Sequence, residues 1–184
     1  DDIDKIESVG GHANGVEIKI VDEDEKKLLF LNKGEIMIRG QNVIEQYWNN
    51  PKLDTNIVDG RLKTGDTGHF DQEDFLYIDG RSDDMINISG EKASPYEIEN
   101  VIKQIDTVTD VGVVGVMDDV FGQIPIAFIV KNEKLSEDDV IHFCRAKLEG
   151  YKIPQKIIFI ENMPKNESDK ILRSKLRKMY QNKK

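Results

Sequence analysis

The chain has 184 residues, 33% of them charged, and a formal net charge of −9, the make-up of an ordinary globular protein with room for one large domain or two small ones. That balance excludes a general nucleic-acid binder, and the lack of any run of 18 apolar residues excludes a transmembrane helix. Cys144 is the only cysteine, so no internal disulfide or thiolate metal cluster is expected, and its neighbours Ile141 and Leu148 at helical spacing mark it as a buried small hydrophobe.

The start, Asp1-Asp2-Ile3-Asp4-Lys5, has neither the basic start nor the apolar stretch of a signal peptide, and a cytoplasmic protein that begins inside a longer chain is expected. Val16–Val21 alternates apolar and polar residues as a half-buried strand does, and Gly34–Gly40 is a second strand bounded by glycines. Arg61–Thr64 leads into Thr64-Gly65-Asp66-Thr67-Gly68, whose Gly, Asp and Thr predict a hairpin turn. The same stretch also offers a carboxylate, Asp66, able to accept hydrogen bonds from a ribose diol. His69 beside it reads as a surface residue. Phe75–Ile78 follows as another strand, so residues 1–82 predict a small antiparallel β-sheet or barrel.

Gly80-Arg81-Ser82-Asp83-Asp84 reads either as a polar linker or as a hinge whose fixed cation and paired carboxylates bind a ligand, and beyond it the pattern changes to mixed α+β over residues 83–184. Asn87-Ile88-Ser89-Gly90-Glu91-Lys92 reads as a connection in which Gly90 either allows a positive φ or lets a ligand approach bare backbone. Ser94-Pro95-Tyr96-Glu97 predicts a capping box with proline at the first helical position, and Ile98, Val101, Ile102 and Ile105 mark the buried face. Val111–Val116 and Ile124–Val130 are apolar strands. Ser136 with three following acids opens a second helix that buries Val140, Ile141, Cys144 and Leu148 and stops at Gly150. Lys156–Glu161 is a further strand. Ile171, Leu172, Leu176 and Met179 mark a last helix, capped by Ser168 or Asp169 with Lys170 in its first turn. Residues 151–184 reverse the charge, with 10 basic residues against 3 acidic ones. That is either a solvated helix face or a site for an anionic small molecule.

The order and spacing of these stretches resemble the adenylate-forming enzymes, among them acyl-CoA synthetases, luciferases of the firefly type and adenylation domains of peptide synthetases. The resemblance runs through Gly34-Glu35-Ile36, Gly40-Gln41-Asn42-Val43, Tyr47-Trp48-Asn49-Asn50-Pro51, Thr64-Gly65-Asp66, Gly80-Arg81-Ser82-Asp83, Ser89-Gly90 to Glu99, Tyr151-Lys152-Ile153-Pro154, and Pro164 with Lys170. It covers nearly the whole chain but only the family's C-terminal portion. The family's Ser/Thr/Gly-rich phosphate loop and its aromatic-Gly-x-Thr-Glu stretch have no match here, so the chain is not expected to adenylate alone.

The resemblance implies an acid–thiol ligase that joins a carboxylic acid to CoA through an acyl-adenylate, with ATP, Mg2+ and CoA as its small molecules. Fatty, aryl and succinylbenzoate-type acids all remain open. Alternatives are an enzyme that loads a carrier protein and a non-catalytic nucleotide- or partner-binding fragment. Residue by residue, Asp66 and Arg81 are implied for the nucleotide's ribose and phosphate side, and Asp83 for the hinge of a rotating C-terminal domain. Ser89, Gly90 and Lys92 are implied for the CoA channel, and Lys170 for the lysine that meets the α-phosphate and carboxylate as acyl-AMP forms. No metal ligands are implied within the chain, and the missing N-terminal portion is an implied partner. Three positions depart from the family. Asp169 stands where glycine precedes the lysine and invites a pair with Lys170, Gln46 replaces a glycine before Tyr47, and Ala93 replaces a larger aliphatic residue in a way expected to loosen packing.

Overall fold

The computed structural model describes residues 5, 8–22, 24–44, 46 and 56–182. The stretch Tyr47 to Pro51 lies outside the described residues. The chain divides into two compact units, Asp1–Asp83 and Asp84–Lys184.

The first unit is an antiparallel sheet. Strands β1 (Val16–Val21), β2 (Gly34–Gly40), β3 (Ile57–Val58), β4 (Arg61–Phe70) and β5 (Leu76–Arg81) are ordered β1-β2-β4-β3, with β5 also paired to β4. Alternation puts Ile20, Ile36 and Leu76 into one small core, with Ile18, Leu28, Ile38 and Phe70 packed against it. The turn expected at Thr64–Gly68 is not a turn. It lies inside the ten-residue β4, where the pairing to β2 jumps from Glu35↔Thr67 to Met37↔Lys63. Residues 64–66 thereby bulge out of the ladder, with Gly65 at φ +73°, and a bulge re-aims the side chain it carries. The turn-forming residues mark a bulge within one strand and not the expected chain reversal.

His69 is likewise not a free surface residue: its Nδ1 lies 2.8 Å from Asp79 Oδ2, and its ring stacks on Tyr77, its partner across β4–β5. At the far end of that hairpin, Asp71 accepts hydrogen bonds from Lys5 Nζ and from the backbone N–H of Glu73 and Phe75. These bonds, that from Lys5 foremost, pull the Asp71 carboxyl down to about 2. A carboxylate with a depressed folded pKa stabilises fully above its unfolded value, and loses that contribution as pH falls toward about 2. A carboxyl-carbon NMR titration is expected to give Asp71 a midpoint near 2, rising toward the ordinary range in Lys5→Gln. A wild-type midpoint in the ordinary aspartate range would contradict the contact.

The second unit is α+β. Its elements are β6 (Ile86–Ile88), β7 (Glu91–Ala93), α1 (Pro95–Ile102), β8 (Val108–Asp118), β9 (Gly122–Lys131), α2 (Glu137–Arg145), β10 (Lys156–Phe159) and α3 (Arg173–Gln181). β9 is central, antiparallel to β8, parallel to β10 and bridged to β6 through Ile88↔Gly122. α1 and α2 cover one face, where Ile98, Ile102, Val140, Cys144 and Ile157 are buried. Ala93 is fully buried in that same core. α3 covers the other face and buries Leu176 against Val114, Ile126 and Phe128. Burial pushes the Cys144 thiol up to about 11, as suits an inert core residue.

Two helix termini differ from expectation. Ser94 is the N-cap of α1 and Pro95 its first residue, but the Ser94 side chain makes no capping bond, and Glu97 pairs with Lys152 instead. The reciprocal box forms at α2, between Ser136 and Asp139. An aspartate there is too short a match to the usual Glu/Gln signature to have been singled out. α2 also ends at Arg145 rather than at Gly150, which opens a 3-10 turn, Gly150–Lys152.

Candidate functional site

In the first unit the β4 bulge brings Asp66 and Arg81 together. They are register partners on β4 and β5, and Arg81 Nη1 donates to Asp66 Oδ1 at 3.2 Å. Thr64 Oγ1 accepts from Asp66 N–H at 3.0 Å and donates to the Ile36 carbonyl at 2.9 Å, which fixes the bulge. Gly65 is favoured by its left-handed φ of +73°; the nearest atom to a Cβ there, Arg81 Nη2 at 3.0 Å, ends a flexible, half-exposed side chain that can move aside. The Asp66 side chain keeps about a third of its surface exposed, so its oxygens remain reachable by a ligand hydroxyl.

Asp83 is exposed and lies in the 3-10 turn Ser82–Asp84, at the boundary of the two units. Just past it, in the second unit, Asp84 faces two guanidinium groups at 3.7 Å (Arg173) and 3.6 Å (Arg177).

Ser89, Gly90 and Lys92 share one hairpin. Ser89-Gly90 is the two-residue loop between β6 and β7, with φ +53° and +94°, the paired positive φ values of the tight turns that match strand twist. Asn87 Oδ1 accepts from Gly90 N–H at 3.1 Å, and Ser89 N–H donates to the Phe121 carbonyl at 2.8 Å. A Cβ at Gly90 would meet nothing, so conformation and not crowding demands the glycine. Beside the loop runs an open groove of about 390 Å3 lined by Asn87, Ser89, Gly90, Met117, Val120 and Phe121. Met117 and Val120 are about three-quarters exposed, an apolar patch that sequence periodicity did not single out because it sits on a hairpin tip.

Lys170 is not in the first turn of a helix. α3 begins at Arg173 with Leu172 as N-cap, and Lys170 closes a small hairpin. Lys165 and Ile171 form an antiparallel bridge, Leu172 N–H donates to the Pro164 carbonyl at 2.8 Å, and Asn166 N–H donates to the Lys170 carbonyl at 2.9 Å. The Asn166 side chain then accepts from Ser168 and Lys170 N–H. An asparagine that satisfies two backbone donors favours a loop over a helix start, which is why the cap expected at Ser168 or Asp169 does not form. A cation in a first helical turn would oppose the helix dipole, and Lys170, outside the helix, is spared that conflict. Its side chain is exposed and pairs with no carboxylate among the described residues.

Asp169 pairs with Lys165, at 3.2 Å, rather than with Lys170. Its φ of +61° explains why glycine suits the position and why Asp, among the better-tolerated side chains there, can replace it. Lys165 also donates to Asp110 at 2.8 Å, and the two carboxylates hold its ammonium above the ordinary lysine range. Asp169→Val is expected to cost about 1–2 kcal/mol in thermal unfolding, while Asp169→Gly is neutral or stabilising. Equal losses from both would make the ion pair, not the backbone, the determinant.

One buried polar assembly has no sequence signal. Glu99 is 3% exposed and accepts from Val113 N–H at 2.8 Å and from Arg173 Nη2 at 2.7 Å. Burial pushes its carboxyl up, and the Arg173 guanidinium and the Val113 bond only partly offset it. A glutamate directly after Ile98, off the apolar spacing that Ile98 shares with Ile102, looks like a solvated residue until the packing of β8 and α3 is known. Lys152, of Tyr151-Lys152-Ile153-Pro154, donates to Glu97 and Glu149, both at 2.8 Å. Burial alone would lower it, but those two bonds hold it well above the usual lysine range. Among the described residues no cluster of three or more His, Cys, Asp or Glu could hold a metal ion, and no helix is long and apolar enough to cross a membrane.

Residues 97–170 match the AMP-binding enzyme C-terminal domain. The chain is 40% identical over 162 residues to the 2-succinylbenzoate--CoA ligase of Bacillus cereus, which covers 88% of this chain and 34% of that protein. It is also 40% identical over 164 residues to the enzyme of the same name from Bacillus cytotoxicus, covering 89% of this chain and 34% of that protein. Among solved structures, o-succinylbenzoate CoA synthetase (MenE) from Bacillus subtilis in complex with the acyl-adenylate intermediate OSB-AMP superposes with a TM-score of 0.89 at 35% identity, over 96% of this chain and 36% of that one. ATP-bound MatB from Rhodopseudomonas palustris does so with a TM-score of 0.90 at 31% identity, over the same shares. The chain thus spans about a third of the length of the relatives it matches.

Proposed function

Because this chain belongs to the adenylate-forming ligases and carries their AMP-binding enzyme C-terminal domain, we propose that it is the C-terminal part of an acid–CoA ligase for an aromatic acid of the 2-succinylbenzoate type. The observation that carries this reading is the presentation of Lys170 on a tight, hydrogen-bonded hairpin with its ammonium unpaired among the described residues. In the first half-reaction a carboxylate oxygen attacks the α-phosphorus of ATP and pyrophosphate leaves, giving acyl-AMP. Two anions meet in that step, and a positioned cation stabilises the charge that develops. A lysine is a compact charge on a flexible stem, suited to a group that arrives and later withdraws. In the second half-reaction the CoA thiol attacks the acyl carbon, loses its proton, and expels AMP.

The remaining residues take the roles their surroundings favour. Asp66, held on its bulge and partly exposed, accepts hydrogen bonds from the ribose hydroxyls. Arg81 beside it faces the nucleotide's phosphate side. Asp83 is the hinge about which the C-terminal domain turns between half-reactions, since a short element end between two units absorbs φ/ψ change. The Ser89-Gly90 loop and Lys92 line the path of CoA's pantetheine arm, whose aliphatic part suits the groove beside Met117 and Val120. Mg2+ accompanies ATP, and its ligands lie mostly outside this chain. The partner it needs is the N-terminal portion of the same enzyme, and ATP and CoA as co-substrates fit a cytoplasmic setting.

The test joins this chain to the N-terminal two-thirds of the Bacillus cereus relative and measures acid-dependent exchange of pyrophosphate into ATP. Exchange with 2-succinylbenzoate is the expected result. If no acid supports exchange in the chimera while the intact relative works under the same conditions, the chain is not a competent ligase domain.

A further inference from the structure

Lys170 itself touches little, and the accuracy of its placement depends on how its hairpin is fixed to the rest of the unit. That fixation runs along β8. Lys165, at the base of the hairpin, donates to Asp110 at 2.8 Å. Two residues on, Gly112 leaves the space in which Ile171, Leu176 and Met163 pack: a Cβ there would lie 2.8 Å from Leu176 Cδ1, 3.2 Å from Ile171 Cγ2 and 3.2 Å from Met163 Sδ. Next along the strand, the Val113 N–H and Arg173 meet the same buried oxygen, Oε1 of Glu99. Arg173 lies three residues beyond Lys170, and it opens α3 behind an N-cap, Leu172, that offers no side-chain cap. The start of this helix is therefore located by an ion pair and not by capping.

We propose that Arg173 is the positioning residue for Lys170, pinned by buried Glu99 so that the hairpin presents the lysine at a fixed point; this rests on the reading of Lys170 as the adenylation lysine. A buried pair of this kind is weak evidence for stability, because two well-packed apolar side chains of similar volume often do as well or better. What the pair supplies and apolar packing does not is direction. Arg173 donates through Nη2 to a single buried oxygen of Glu99, which in turn is held by one strand N–H. Its Nε, buried and without a hydrogen-bond partner, faces Asp84 at 3.7 Å, so the same guanidinium also senses the first residue of the unit. A small displacement at a catalytic group lowers rate steeply even when the fold is intact.

The experiment compares wild type with the double substitution Glu99→Met, Arg173→Met. A second variant, Glu99→Gln, keeps the side chain's size and its bond from Val113. On this chain, amide hydrogen exchange at Lys170 and Leu172 is expected to speed up about tenfold with thermal stability retained. In the chimera, acyl-adenylate formation is expected to fall about tenfold or more, while thioester formation from supplied acyl-adenylate is kept. Exchange at the wild-type level, or equal loss of both half-reactions, overturns the proposal, since a merely structural pair would lower both or neither. A wild-type chimera without adenylation sinks the functional reading instead, and the exchange measurement then decides by itself whether the pair holds the hairpin.

Discussion

Replacing Lys170 with alanine is expected to lower acyl-adenylate formation in the chimera by about 10²–10³-fold, with thioester formation from supplied acyl-adenylate little changed. The magnitude is that of removing one preorganised group aimed at developing charge, about 3–4 kcal/mol. The asymmetry follows from the hairpin. Lys170 is exposed and unpaired among the described residues, so its removal leaves no buried partner unsatisfied and no cavity. Loss of activity with an unchanged melting curve is thus readable as chemistry. Lys170→Arg is not a rescue, because a broad, planar guanidinium does not occupy the place of a compact ammonium. Measuring pyrophosphate exchange and thioester release separately checks both halves. An unchanged exchange rate would remove Lys170 from the mechanism, and equal losses in the two half-reactions would make it a structural residue.

Much of the fold was legible because its signals are local. Alternation in Val16–Val21, the proline behind Ser94, and the acids after Ser136 each report on a few neighbouring residues, and each lies on the element expected. The α+β class with a preceding antiparallel sheet followed from these. What failed depended on pairing between distant segments. Thr64–Gly68 looked like a turn because Gly and Asp mark any irregular backbone, and only the register of β2 against β4 makes it a bulge. His69 looked solvated because Asp79 and Tyr77 come beside it only through β5. Ile171 and Leu172 looked helical because they share the spacing of Leu176, yet Asn166 turns that segment into a hairpin with two hydrogen bonds. For the candidate site the same division holds. Asp66, Arg81, Ser89, Gly90 and Lys170 were named from motif order, whereas Glu99 and Arg173, 74 residues apart, carry no motif that joins them.

Gly68→Ala is expected to be among the most destabilising single-atom changes in the first unit, because the second glycine of the β4 stretch has no room to grow. Its φ is ordinary, so conformational freedom is not the reason. A Cβ at Gly68 would lie 2.3 Å from the Tyr77 carbonyl oxygen and 2.9 Å from Ile36 Cδ1. The isoleucine can rotate away, but the carbonyl belongs to β5 and can retreat only if the β4–β5 ladder opens. Overpacking of this kind costs about 1–3 kcal/mol, or roughly 5–20 °C in melting temperature for a unit of this size. Thr67→Val next to it is the control. Thr67 Oγ1 is buried without a hydrogen-bond partner among the described residues, so a methyl in its place is expected to be neutral or stabilising. The pair separates a crowded strand from one that merely tolerates no change. It also reaches the residues proposed for the nucleotide, since opening the ladder at Gly68 loosens the Asp66↔Arg81 pairing two positions away. Weakened protection of the Arg81 amide in Gly68→Ala, but not in Thr67→Val, is the expected pattern. An alanine accommodated at position 68 with Arg81 unaffected would mean that β5 is free to shift, and the fixed geometry at Asp66 would then need another source.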